Sequence, residues 1–208
     1  MFCGNNKVKK ETRAINFVLN NEPKLLRQFL VKRKTSDETK IQALILACKQ
    51  GNPNLVSILL PFITNGESVH ANISLCSPIT LAIGFKDKAI GKEIVDLLLE
   101  HSLRTESRYD ANVLFHSRRL SDNVSPLHYA CFLGHTDLLK SLVRAGFNIE
   151  LISSNGFRPV HYAAMQNEKR ALETLSDLNA DLDVSDNTEA GNTPLHLTVQ
   201  NNCYVTTQ

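Results

Sequence analysis

The chain has 208 residues and a formal net charge of +2, from 23 Lys and Arg against 21 Asp and Glu. That near-balance gives no electrostatic footprint for nucleic acid by itself, and the hydrophobic content of 42% is ordinary for a soluble globular chain. No run of eighteen apolar residues offers a membrane span. Residues 1–12 read as a polar, basic tail without the apolar stretch of a secretory signal. Gly4 is not at the second position that N-myristoylation needs.

Three hexapeptides set a register for the rest. They are Ser125-Pro126-Leu127-His128-Tyr129-Ala130, Arg158-Pro159-Val160-His161-Tyr162-Ala163 and Thr193-Pro194-Leu195-His196-Leu197-Thr198, with prolines 33 and then 35 residues apart. Counted from those prolines, Arg13 to Leu30 is a loose first copy, apolar at Phe17, Val18, Leu25, Leu26, Phe29 and Leu30. Ala43 to Leu60 fits without gaps: Ala47-Cys48 are a small pair, Gly51 is a turn, and Leu55, Val56, Ile58, Leu59 and Leu60 form an apolar stripe. Pro78 opens a third copy whose second helix contains Ile94 to Leu99, and the spacing predicts a turn about four residues too long near Lys86 to Lys92. The connection from His101 to Asn123 is also long, and long loops are often functional. It carries Arg104, Arg108, Arg118 and Arg119 around Val113, Leu114 and Phe115. Those apolar residues could fold back on a helical face and offer the arginines to an acidic ligand.

The copy at Pro126 is the fullest. Pro126 suits a first helical position, Gly134-His135 ends the helix with a glycine suited to a left-handed cap, and Leu138, Leu139, Leu142 and Val143 recur at helical spacing. The copy at Pro194 reaches only about Gln200 before Asn201 to Gln208, so its second helix is missing. Either a short irregular cap ends the stack, or this is the N-terminal piece of a longer protein, which is the favoured reading. Self-similarity at this period points to a stack in which each unit buries its apolar face against neighbours.

These segments resemble the ankyrin-repeat family, whose unit starts on a Thr-Pro-Leu-His-like motif, continues with small residues and a Gly-His turn, and closes on a Leu-rich second helix. The resemblance implies an all-α solenoid of stacked helix-turn-helix units joined by hairpin loops, with five to six repeats starting near 13, 43, 78, 126, 159 and 194. As one array, it would run from 13 to 208 without a boundary. It also implies that His128, His161 and His196, one per repeat, hold the hairpin to the helix and are not a catalytic or metal set. His135 belongs to the same scaffold. Arg158 replaces the family's Thr, which predicts a lost hydrogen bond and local loosening.

The cysteines are Cys3, Cys48, Cys76, Cys131 and Cys203, an odd number with no metal-ligand spacing. Cys48 and Cys131 share one repeat position, where the fold favours a small buried residue, so they read as reduced thiols in an intracellular, reducing compartment. No catalytic residue, cofactor or metal is expected.

Function then falls to positions that the scaffold leaves free. In this family the binding surface comes from hairpin tips and from the concave face of the first helices. Here those positions hold Val124, Phe132, Leu133, Asn155, Phe157, Met165 and Gln166. An apolar group of this kind on two adjacent repeats marks a protein-binding surface. The expectation is a monomeric, non-catalytic adaptor for a protein partner, with no small-molecule substrate and no nucleic acid. The alternative is a targeting module of a longer effector, such as one secreted by an intracellular bacterium, or of an enzyme with its catalytic domain beyond residue 208.

Overall fold

The structure is a computed structural model that describes residues 4–32, 35–63, 77–105, 114–117 and 119–205. Its helices come in pairs. The N-terminal pairs are α1 (Gly4–Leu19) with α2 (Pro23–Lys32), α3 (Asp37–Lys49) with α4 (Pro53–Leu59), and α5 (Pro78–Ile83) with α6 (Lys88–Arg104). First helices stack as α1 on α3 on α5, and second helices as α2 on α4 on α6. Contacts divide the chain into two compact units, and among the described residues the first ends at 105 and the second begins at 114. The second unit opens with an antiparallel hairpin, β1 (Phe115–Ser117) and β2 (Asp122–Val124), paired Phe115↔Val124 and Ser117↔Asp122. It continues with α7 (Pro126–Phe132), α8 (Thr136–Arg144), α9 (Pro159–Met165), α10 (Lys169–Asp177) and α11 (Pro194–Val205). Here α7 stacks on α9 and α9 on α11, while α8 stacks on α10.

Local chemistry accounts for the helix starts. Ser36 accepts the Thr39 N–H at 3.4 Å, and Asp37 and Glu38 place negative charge in the first turn of α3. Asn52 accepts the Leu55 N–H at 3.2 Å ahead of Pro53. Asp87 takes the N–H groups of Ala89 and Ile90 at the head of α6. Four of the first helices, α1, α3, α7 and α9, end on a residue with positive φ: Asn21 (54°), Gly51 (63°), Gly134 (62°) and Asn167 (54°). These lie at one repeat position, eight after 13, 43, 126 and 159. Only Gly, and to a lesser extent Asn, visits that region at low cost.

Five expectations are corrected. The chain is helical from Gly4, inside the span read as a tail. α3 starts six residues before the register point at 43, because Ser36 caps it there. The extra residues after Pro78 lengthen the second helix instead of the turn: the break between α5 and α6 is only 84–87, and α6 has 17 residues against 9 in α8. Asp87 fixes that early start. Between His101 and Asn123 lie the last turn of α6 and the β1–β2 hairpin; residues 106–113 and 118 are outside the described set. Finally, the single boundary-free array is two units, and the division falls within the 48-residue interval from Pro78 to Pro126. At the end of the chain, α11 runs on to Val205.

The turn glycines differ in what surrounds them. A Cβ at Gly51 would stand 2.0 Å from the Phe85 ring, whereas one at Gly134 would meet the movable carboxylate of Glu168. Gly51→Ala is therefore expected to cost about 2 kcal/mol and Gly134→Ala about 1 kcal/mol, read as shifts in the urea midpoint followed by circular dichroism.

Candidate interaction surface

The second unit is tied together by its histidines. His128 is fully buried, and its Nδ1 accepts the Ser125 N–H at 3.1 Å and lies 2.7 Å from the Ser125 hydroxyl. Nε2 is then the protonated nitrogen and donates to the Phe157 carbonyl at 3.1 Å, in the next repeat. His161 repeats the arrangement, with the Arg158 N–H at 3.0 Å and the Val184 carbonyl at 3.1 Å. His196 takes the Thr193 N–H at 3.1 Å. Burial pushes His128 down to about 4, against smaller opposing contributions from the carbonyls it faces, so the ring is neutral at physiological pH. Burial also lowers His161. His135 is buried at the N-cap of α8.

The loosening expected at Arg158 is not seen in α9. The Arg158 side chain has no hydroxyl to offer His161, and its buried Nε lies 3.6 Å from Glu150 without forming a hydrogen bond. Yet the backbone N–H still reaches His161, and Pro159 through Ala164 are all buried. One missing contact is outweighed by the packing of the whole helix.

A node that sequence reasoning passed over sits at Asp122. Its buried carboxylate accepts the Ser153 hydroxyl at 2.7 Å, the Ser154 hydroxyl at 2.5 Å, the Asn155 N–H at 3.1 Å and the Tyr162 hydroxyl. Burial opposes its ionisation, but these donors together outweigh burial and hold the carboxyl below its ordinary value. Around it the hairpin tips pair directly, with the Ser154 N–H on the Asn123 carbonyl at 3.1 Å and the Asn123 N–H on the Ser154 hydroxyl at 3.0 Å.

This anchoring places the β1–β2 hairpin along α7. Phe115 meets the edge of Tyr129 at 5.9 Å between ring centroids. One turn along α7, the Arg119 guanidinium stands 5.4 Å from the centre of the Phe132 ring. Phe132 and Leu133 close α7, and Met165 and Gln166 close the adjacent α9, so these four lie at matching ends of two stacked helices. Asn155 and Gln166 are exposed; Phe132, Leu133 and Met165 are half-buried.

Val124 and Phe157 are placed otherwise than expected. Val124 is fully buried in β2, because strand alternation puts it on the core side with Phe115 and Asp122. Phe157 is half-buried with its ring against Tyr162 at 5.9 Å and His161 at 6.0 Å, so it packs within the repeat. Arg104 belongs to the first unit and is paired with Glu100 at 2.6 Å. Arg108 and Arg118 lie outside the described residues. The first unit also has a cleft of about 640 Å³, floored by Leu60, Pro61, Ile63 and Leu97 with His101 on its wall. Burial lowers the His101 pKa first of all.

The buried cysteines are not poised as nucleophiles. Cys48 is free and pushed up to about 12 by burial, and Cys131 is raised by the same cause. No helix among the described residues is long and apolar enough to cross a membrane.

Residues 91–186 and 127–207 match the family model described as ankyrin repeats, in three copies, and together cover more than half the chain. The chain belongs to the ankyrin-repeat family. It is also similar to a putative ankyrin repeat protein of Acanthamoeba polyphaga mimivirus, 35% identical over 85 residues that make up 39% of this chain. Those residues span 11% of that relative's length. Ankyrin repeats are generally protein-interaction modules.

The buried histidines set a pH dependence. An unfolded His titrates near 6.5, while native His128 stays neutral until about 4. Between those values the unfolded state binds more protons, so stability falls as pH falls. Melting temperature is expected to drop from pH 7.5 to pH 5. His128→Asn should melt lower throughout but with a smaller drop, as thermal scans across that range would show.

Proposed function

We propose that this chain is a non-catalytic adaptor or scaffold whose second unit binds a protein partner through Arg119, Phe132, Leu133, Met165, Gln166 and Asn155. The observation that carries the reading is the fold-back of the hairpin onto α7. It sets a cation over an aromatic ring, Arg119 on Phe132, beside half-buried Leu133 and Met165 and exposed Gln166 and Asn155. A partly covered apolar centre with a polar, charged rim is the usual anatomy of a protein interface. The group is small and not strongly basic, which favours a protein partner over nucleic acid. Free, buried Cys48 and Cys131 support a reducing, intracellular setting.

A second reading is favoured by one observation. The matched segment makes up about a tenth of the mimivirus relative, so a stack like this one can serve as the recognition part of a larger protein. In that reading the same surface delivers an attached activity to its target.

Replacing Gln166 with a photo-crosslinking residue is expected to capture a partner from cell lysate, which mass spectrometry then identifies. Against the purified partner, Arg119→Glu with Phe132→Ser should weaken binding roughly thirtyfold by calorimetry while melting stays within a few degrees of wild type. Unchanged affinity would remove this surface from the interface. Phe157 is kept intact because its ring supports His161 and Tyr162.

A further inference from the structure

The near-balance of charge over the whole chain conceals a strong local asymmetry. Residues 1–34 carry nine Lys and Arg against two Asp and Glu, and the rest of the chain carries 14 against 19. The first layer of the stack is thus basic, and everything after it is net acidic. A segregation of this size points to a polyanionic surface as ligand.

α2 shows where part of that charge is displayed. Leu26 and Leu30 form its buried face, while Lys24, Arg27, Gln28, Val31 and Lys32 are exposed. Helical spacing sets Lys24, Gln28 and Val31 in one line along the outside of the helix, with Arg27 on one side and Lys32 on the other. α2 contains no acidic residue, and none of the ion pairs among the described residues involves Lys24, Arg27 or Lys32.

This face is open because of its place in the repeat, whatever stacks on either side of the layer. Lys24, Arg27 and Val31 stand eleven, fourteen and eighteen residues after the repeat start at 13. The same positions counted from 43, 126 and 159 hold Asn54, Ser57 and Pro61, then Asp137, Lys140 and Arg144, then Arg170, Glu173 and Asp177. All are exposed, although each of those layers has a neighbour. They are uncharged in the second layer and of mixed sign in the other two. Only α2 pairs two cations there with an aliphatic side chain.

Val31 discriminates between polyanions. It is 67% exposed, more than any other large apolar side chain described in the first unit. Nucleic-acid bases are met by aromatic stacking, and this face has no aromatic residue; an aliphatic group among cations adds nothing toward phosphates. On an anionic bilayer both parts have a use, because lysine and arginine meet the headgroups while an apolar side chain enters the headgroup–acyl boundary. A helix of ten residues lies along such a surface and does not cross it.

We propose that the outer face of α2 binds an anionic membrane surface, with Lys24, Arg27 and Lys32 on the lipid headgroups and Val31 at the headgroup–acyl boundary. The proposal concerns the first unit alone and does not depend on the Arg119–Phe132 surface of the second.

The test is co-sedimentation of the 208-residue chain with vesicles of phosphatidylcholine containing about one-third phosphatidylserine. Saturable binding is expected, absent with phosphatidylcholine alone and weakened at least about tenfold between roughly 0.05 and 0.5 M sodium chloride. Lys24→Glu with Arg27→Glu should weaken binding at least about tenfold, and Val31→Ser roughly threefold. Melting should stay within a few degrees of wild type in both, because the replaced side chains face solvent. Lys140→Glu with Arg144→Glu makes the same change of charge on α8 and should bind like wild type. No binding to the anionic vesicles at low salt, equal binding to neutral vesicles, or an equal loss in the α8 variant would overturn the proposal. So would tighter binding to a DNA duplex than to the vesicles with Val31→Ser without effect, because the face would then serve nucleic acid.

Discussion

The second unit depends on one buried imidazole making two hydrogen bonds in opposite directions. Nδ1 of His128 closes the cap of its own helix, and Nε2 reaches the Phe157 carbonyl of the next repeat. A protonated ring could not accept at Nδ1, and a ring without Nε2–H could not donate to Phe157. The neutral tautomer with its proton on Nε2 is thus the only form that satisfies both neighbours, and burial selects it. The vertical spacing of the hairpins follows from this, because each histidine ties a helix to the loop 29 or 23 residues further on.

Asp122 supplies the matching constraint at the hairpin tips. A buried carboxylate is costly unless its lone pairs are filled, and here three hydroxyls and one N–H fill them. Two of the hydroxyls and the N–H come from the next hairpin, and the third comes from α9, so hairpin, hairpin and helix are fixed together at one point. With β2 anchored there, the short ladder to β1 sets where Phe115 and Arg119 land on α7. The charged element of the candidate surface is therefore positioned through a buried residue that is not itself one of the surface residues.

The parts of this arrangement that sequence revealed are those governed by local rules. Pro126, Gly134 and the apolar spacing in α8 mark helix starts, stops and faces because capping, positive φ and periodicity act within a few residues of chain. The register points at 13, 43, 126 and 159 reappear as the left-handed turns at Asn21, Gly51, Gly134 and Asn167. The parts that stayed hidden depend on pairing across distance. Asp122 is one carboxylate in a polar loop, and its four donors lie 31 to 40 residues away. Val124 was read as a hairpin-tip residue, but strand pairing with Phe115 turns it inward, and a ladder three residues long leaves little periodic signal. The lengthened α6 was read as a long turn because the register assumed equal helices. The one clue was Asp87, a good N-cap at the start of the apparent insertion.

In a stack of this kind, stability is close to a sum of layer and neighbour contributions. The left-handed turn recurs in four layers, and in the second unit His128 and His161 tie one repeat to the next. The side chains of Phe132, Met165 and Gln166 at the helix ends are not among these recurring features. They can vary at little cost to the fold, which is the condition for a surface to be specialised toward one partner.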